Sequence, residues 1–207
     1  MRYTLIRKLA AGLRHRVMGD LQTIEFTAEL CSRMAHSNRG TDEIRGQLDK
    51  IPGFTAVAAA SCRSMVEWLR PDHSARDPFG EVVDHCLLIA GDDWPLRGVA
   101  ATVQASDECR NAVVSRAVVC ELVVASVLTL VDLRPAGARL ELGAELVGGY
   151  VVLDIRSGAG EDNGLPPLAP TYRQLDWEDV TLLADSHGVP CSCQRELQSI
   201  SLRFASE

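Results

Sequence analysis

Among the first 36 residues one side chain stands out chemically. It is His15, in the run His15-Arg16-Val17-Met18-Gly19-Asp20-Leu21-Gln22. Imidazole titrates near neutrality, so at physiological pH one ring nitrogen can attack a phosphoryl group while a neighbour holds the other. Asp20, a little over one helical turn further on, is the candidate to orient or deprotonate it. On spacing alone, a lone surface histidine is idle more often than catalytic. His187, Cys191 and Cys193 form H-x3-C-x-C, but a closed zinc site needs a fourth ligand and the chain has no C-x2-C pair. That trio therefore reads as small thiols at a strand end. Asp84-His85-Cys86 are adjacent on an expected helix and point in different directions, which excludes a relay among them. His36 and His73 fall at element ends and are expected to be exposed. Gly158-Ala159-Gly160 reads as a strand-to-loop turn.

The elements that position these residues follow from periodicity. Leu5, Leu9, Leu13, Val17, Leu21, Ile24, Ala28 and Cys31 recur at threes and fours, which predicts one helix over residues 3–36, roughly 50 Å long. His15 lies about 200° around that helix from both Leu13 and Val17, and so points away from the stripe into solvent. After a turn at residues 37–41, a second stripe runs through Ile44, Leu48, Ile51, Ala58, Cys62, Met65 and Leu69. Pro52-Gly53 interrupts it, so a bend or a late helix start is expected there. Two helices with one apolar stripe each cannot enclose a core, and the simplest burial is a homodimer forming a four-helix bundle.

Past residue 72 the pattern changes. Helices are expected over 79–90, 111–131 and 177–187, with strands at 96–103 and at the C-terminus through Ile200, Leu202 and Phe204. Leu140, Leu142, Ala144 and Leu146 alternate up to Gly148-Gly149, and Val151, Leu153 and Ile155 alternate after it, which predicts a hairpin. Residues 157–170 read as a Gly- and Pro-rich loop. The expected fold class is α+β, divided into a helical hairpin at 1–72 and a helix-on-sheet layer at 73–207. Trp68 and Trp94 are expected to pack where the halves meet.

Composition narrows the function classes. With 207 residues and 46% hydrophobic content the chain can bury a core. A net charge of -7 argues against a nucleic-acid surface. The longest apolar run, 117–131, falls short of the roughly 20 residues a membrane span needs, and it contains Glu121. Charges at Arg2, Arg7 and Lys8 occupy the place of a signal peptide's apolar stretch, and seven scattered cysteines suit reduced thiols. A cytoplasmic location is expected, with no membrane and no nucleic-acid partner.

The run from His15 to Gln22 resembles the phosphoacceptor box of the second class of sensor histidine kinase dimerisation domains, whose pattern is H-R-V-K-N-N-L-Q. His15, Arg16, Val17, Leu21 and Gln22 match it, while Met18, Gly19 and Asp20 stand in place of K-N-N. The resemblance implies that His15 carries phosphate. It also implies that Arg14, Arg16, Met18, Gly19 and Gln22 form a recognition face, with Gly19 leaving room for a partner's aspartate.

The later half resembles the GHKL-type ATP-binding domain of the same kinases, in a degenerate form. Glu121-Leu122-Val123-Val124-Ala125-Ser126 stands at the E-L-V-x-N-A box, and Arg156-Ser157-Gly158-Ala159-Gly160 at the D-x-G-x-G box. Ala125 replaces the asparagine expected to hold Mg²⁺ and has no oxygen to offer a hard cation. Arg156 replaces the aspartate expected to accept from adenine, and can only donate. In the stretch 162–170, where backbone N–H groups should cradle a triphosphate, Pro166, Pro167 and Pro170 have none to give. ATP is therefore not expected to bind, and no resident cofactor or metal is expected.

Together these features resemble the dimeric histidine phosphotransferases of bacterial phosphorelays. That resemblance implies relay of phosphate between receiver-domain aspartates of response regulators through His15, with Mg²⁺ brought by the receiver. The alternative is an unphosphorylated pseudo-histidine-kinase acting as a dimeric scaffold or inhibitor. An active kinase with an unusual nucleotide mode is made improbable by Ala125 and Arg156.

Overall fold

The computed structural model describes residues 2–37, 40–91, 94, 98–133, 137–160 and 174–207. The proline-bearing stretch 162–170 lies outside them. The fold is mixed helix and sheet, and the chain divides into two compact units, Ala10–Pro71 and Met1–Leu9 with Asp72–Glu207. The first nine residues of the hairpin expected at 1–72 thus group with the second unit.

Helix α1 spans Arg2–His36 without interruption. Leu5, Leu9 and Leu13 are buried, but beyond them the inner line drifts. Thr27 and Cys31 are buried, whereas Leu21 and Ala28 of the expected stripe are exposed. A strict stripe slips around a 3.6-residue helix, and here the slip leaves apolar side chains outside the hairpin.

The second arm is two helices, α2 (Thr41–Leu48) and α3 (Ile51–Leu69). Pro52 sits in the first turn of α3, where its missing N–H costs nothing, so the break falls at Asp49-Lys50 rather than as a kink at the proline. The inner face of α3 is Ile51, Phe54, Ala58, Ser61, Ser64 and Trp68. Cys62, Met65 and Leu69, expected inside, are exposed.

In the second unit, β1 (Arg76–Pro78) pairs antiparallel with β3 (Val113–Ser115). Helix α4 (Phe79–Ala90) follows β1 directly. After β2 (Val99–Ala105), the short helix α5 (Asp107–Asn111) is capped by Ser106 Oγ, which accepts from Cys109 N at 3.2 Å. The helix expected from residue 111 instead starts at Arg116, as α6 (Arg116–Asp132), because Val113 and Val114 are drawn into β3.

The hairpin β4 (Ala138–Val147) and β5 (Tyr150–Ala159) turns on Gly148 and Gly149, both at positive φ as a type I′ turn requires. Helix α7 (Trp177–Ser186) starts at a capping box, in which Asp176 accepts from Asp179 N at 2.9 Å. Strands β6 (Cys191–Gln194) and β7 (Ser199–Ala205) end the chain. The main sheet has the order β2-β4-β5-β7-β6, with β2 parallel to β4 and the other pairs antiparallel.

One face of this sheet is apolar. Rows such as Leu142–Ile155–Ile200 and Ala144–Leu153–Leu202 are buried, while Arg139, Glu141, Arg156 and Arg203 stand on the other face in solvent. Helix α6 covers the apolar face and is buried from Val119 to Val131, apolar on nearly every side, with α4 and α7 packed against it. Lys8 of α1 pairs with Asp132 at the C-terminal end of α6, where a cation also complements the helix dipole.

Candidate functional site

His15 sits in mid-α1, and its imidazole is exposed. Counting 100° per residue, Met18, Gly19 and Gln22 fall about 60°, 40° and 20° from His15, so these four share one face. Met18 and Gln22 are exposed, and Met18 shows half its surface. Gly19 is half-buried, and a Cβ built on it would meet nothing within 4 Å. One turn on from His15, at Gly19, the helix surface therefore has open space among the described residues. Arg14 is exposed and Arg16 half-buried, placing two guanidinium groups on either side of the histidine in sequence.

Asp20 is placed differently. Five residues on, it lies about 140° around the helix from His15. Its Oδ2 accepts from Ser61 Oγ of α3 at 2.6 Å. The structure thus brings Asp20 to Ser61 rather than to the imidazole, and the pair ties the two arms of the hairpin together. The sequence signal for Ser61 is its position in the series Phe54, Ala58, Ser61, which is the inner face of α3. Below Gly19 the hydroxyls of Thr23 and Thr27 donate to the carbonyls of Gly19 (2.9 Å) and Thr23 (2.7 Å), a back-bonding that bends helices slightly.

In the second unit Ala125 is buried in α6, and Arg156 stands exposed on the face of β5 that looks away from the helices. The two positions thus lie on opposite faces of the sheet. Gly160 has a structural reason to be glycine, since a Cβ on it would lie 2.7 Å from Ala138 N and 2.9 Å from the Gly137 carbonyl carbon. Glu121 is buried and its Oε2 lies 2.9 Å from His187 Nε2, a pair that joins α6 to the end of α7. Residue types alone did not single out this pair, because 66 positions separate its members. His73 stands near it, its ring centroid 6.5 Å from that of His187. Among the described residues no group of three or more His, Cys, Asp or Glu side chains is placed to hold a metal ion. No described helix is long and apolar enough to cross a membrane.

No protein-family model matches the chain, and no curated protein matches it. Solved structures similar to it include the histidine kinase AdeS of Acinetobacter baumannii, 11% identical, with 89% of this chain and 96% of that one covered at a TM-score of 0.47. A bacterial phosphotransferase is 15% identical over 97% of this chain and 95% of its own, at a TM-score of 0.43. A histidine kinase from Burkholderia phymatum is 14% identical over 94% and 97%, also at 0.43.

Proposed function

We propose that this protein is a histidine phosphotransferase in which His15 carries a phosphoryl group between the receiver aspartates of response regulators. The observation that supports this best is the exposed imidazole on an unbroken helix, with Met18, Gly19 and Gln22 on the same face and open space at Gly19. A ring nitrogen of His15 attacks the phosphorus of an aspartyl phosphate. The bond to the carboxylate oxygen breaks, and its electron pair leaves with the carboxylate. In the second half-reaction another aspartate attacks the phosphorus and the N–P bond breaks.

The chain supplies position and charge, since in-line transfer needs little more than alignment and neutralisation. Arg14 and Arg16 are the groups that offset the phosphate's charge. Met18, Gly19 and Gln22 receive the partner, while Asp20, bound to Ser61, holds the two arms of the hairpin together. Mg²⁺ belongs to the receiver in this reading, and ATP takes no part, in keeping with Ala125 and Arg156. The hairpin pairs with a second copy as a four-helix bundle. In support, Leu21, Met65 and Leu69 remain exposed although they belong to apolar stripes.

The test is to mix the protein with a receiver domain carrying labelled aspartyl phosphate and follow acid-labile label. Wild type should load and His15→Ala should not. Loading of His15→Ala equal to wild type would overturn the proposal.

A second reading is a dimeric scaffold or inhibitor that docks on its partner and is never phosphorylated. The Asp20–Ser61 bond favours it, because it draws away from His15 the carboxylate expected to orient the ring. Tight receiver binding without label transfer, with full binding kept by His15→Ala, would decide for it.

A further inference from the structure

We propose that Cys191 and Cys193 form a peroxide-reactive dithiol at the sheet edge, with Cys193 as the nucleophile and Cys191 as the resolving thiol. The two lie at i and i+2 of β6 and so on one face of the strand, and their sulfurs are 3.8 Å apart. The Thr181 hydroxyl of α7 lies 3.7 Å from Cys193 Sγ. Both thiols are half-buried on a four-residue strand that, among the described residues, pairs with β7 alone at the end of the sheet, so reagent can reach them.

The two thiols differ in acidity. The hydrogen bond from Cys191, reinforced by Thr181 and by the positive charge of Arg195, lowers the Cys193 thiol to about 6 against the opposing effect of burial. Cys191, as the hydrogen-bond donor to that thiolate, is pushed up and stays protonated. Near neutral pH one sulfur is thus a thiolate and its neighbour holds the proton that a resolving thiol needs.

Cys86 shows the contrast. It is fully buried in α4 beside Cys120, and burial together with that neighbour pushes its thiol up, so no thiolate is available there. Cys62 is exposed on α3, in the other unit from the β6 pair.

The chemistry balances with a hydroperoxide as oxidant. The Cys193 thiolate attacks one peroxide oxygen, the O–O bond breaks, and sulfenic acid and hydroxide form. Cys191 Sγ then attacks the Cys193 sulfur, the S–O bond breaks, and water leaves with the Cys191 proton. Two thiols and one hydrogen peroxide give one disulfide and two waters. Closing the sulfurs from 3.8 Å to a bond of about 2.05 Å requires β6 to pucker, which an edge strand can do.

The experiment treats the full chain with a small molar excess of hydrogen peroxide at neutral pH, blocks remaining thiols with iodoacetamide, and maps tryptic peptides by mass. Residues 174–195 form one such peptide, which contains Cys191 and Cys193 and no other cysteine. It should become two hydrogens lighter, resist alkylation, and recover both sites after dithiothreitol. Cys191→Ser should instead stop at a sulfenic acid that dimedone traps on Cys193, whereas Cys193→Ser should slow oxidation of this peptide at least about tenfold. Circular dichroism checks the fold of each variant. In wild type, iodoacetamide at pH 6.5 should alkylate Cys193 at least about tenfold faster than Cys62. The proposal falls if Cys62 oxidises first while residues 174–195 keep both thiols, or if the two serine variants oxidise at the same rate. None of these outcomes depends on His15.

Discussion

The open space at Gly19 leads to a prediction with two opposite signs. Replacing Gly19 by alanine in mid-helix should raise stability, because glycine in a helix interior costs about 1 kcal/mol relative to alanine. Nothing offsets the gain, since a Cβ there meets no atom within 4 Å. A midpoint rise of roughly 2 to 4 °C follows for a chain of this size, or more if the hairpin melts by itself. Calorimetry or urea unfolding followed by circular dichroism measures it. Phosphoryl transfer should move the other way. If a receiver crosses α1 over Gly19, a methyl group intrudes into that contact and a leucine side chain intrudes further. Overpacking of an interface costs on the order of 1 to 3 kcal/mol, so Gly19→Leu should slow loading of His15 by about tenfold or more. The imidazole itself is untouched, and acid-labile label against time is the readout. A Gly19→Ala protein less stable than wild type would refute the placement of Gly19. A Gly19→Leu protein that stays folded and loads at the wild-type rate would refute the approach of the receiver across that face.

Glu121→Ala should destabilise the second unit by about 3 kcal/mol, because it leaves His187 Nε2 without its buried partner, and Glu121→Gln should cost less; urea midpoints compare the two. Gly160→Ala should lower stability by about 1 to 3 kcal/mol, since the new methyl would press on the start of β4, and thermal unfolding would report it. Met65→Asp should shift the protein from dimer to monomer in light scattering without loss of helical signal, because Met65 is exposed in the single hairpin and the charge would fall in the proposed bundle core. A Met65→Asp protein that kept the dimer mass would place the interface elsewhere.

Much of the architecture was legible from local pattern. Leu5, Leu9 and Leu13 marked the first turns of α1, alternation on either side of Gly148-Gly149 marked β4 and β5, and the unbroken apolar run marked α6 as a core helix. These features are local, because a period of 3.6 or 2 is set by the backbone of a single element. The structure departs from local pattern where partners lie far apart in sequence. Val113 and Val114 looked like the start of a helix until β1 provided a strand to pair with. Beyond Ala58 the inner face of α3 departs from the apolar stripe: Met65 and Leu69 are more apolar than Ser61 and Ser64, yet Ser61 has a partner on α1.

The candidate site divides along the same line. The sequence by itself determined that His15 points away from the stripe begun at Leu5, Leu9 and Leu13, because helical geometry leaves no other direction for it. It also determined that the Ala125 side chain offers no oxygen to a cation and that the Arg156 side chain can only donate, since that is a matter of functional groups. Only the tertiary structure decided that Asp20 belongs to Ser61, that Glu121 reaches His187, and that Cys193 lies within reach of both Cys191 and Thr181. Most of these contacts join separate elements, and their free energy depends on separations between 2.6 and 3.8 Å that no periodicity encodes.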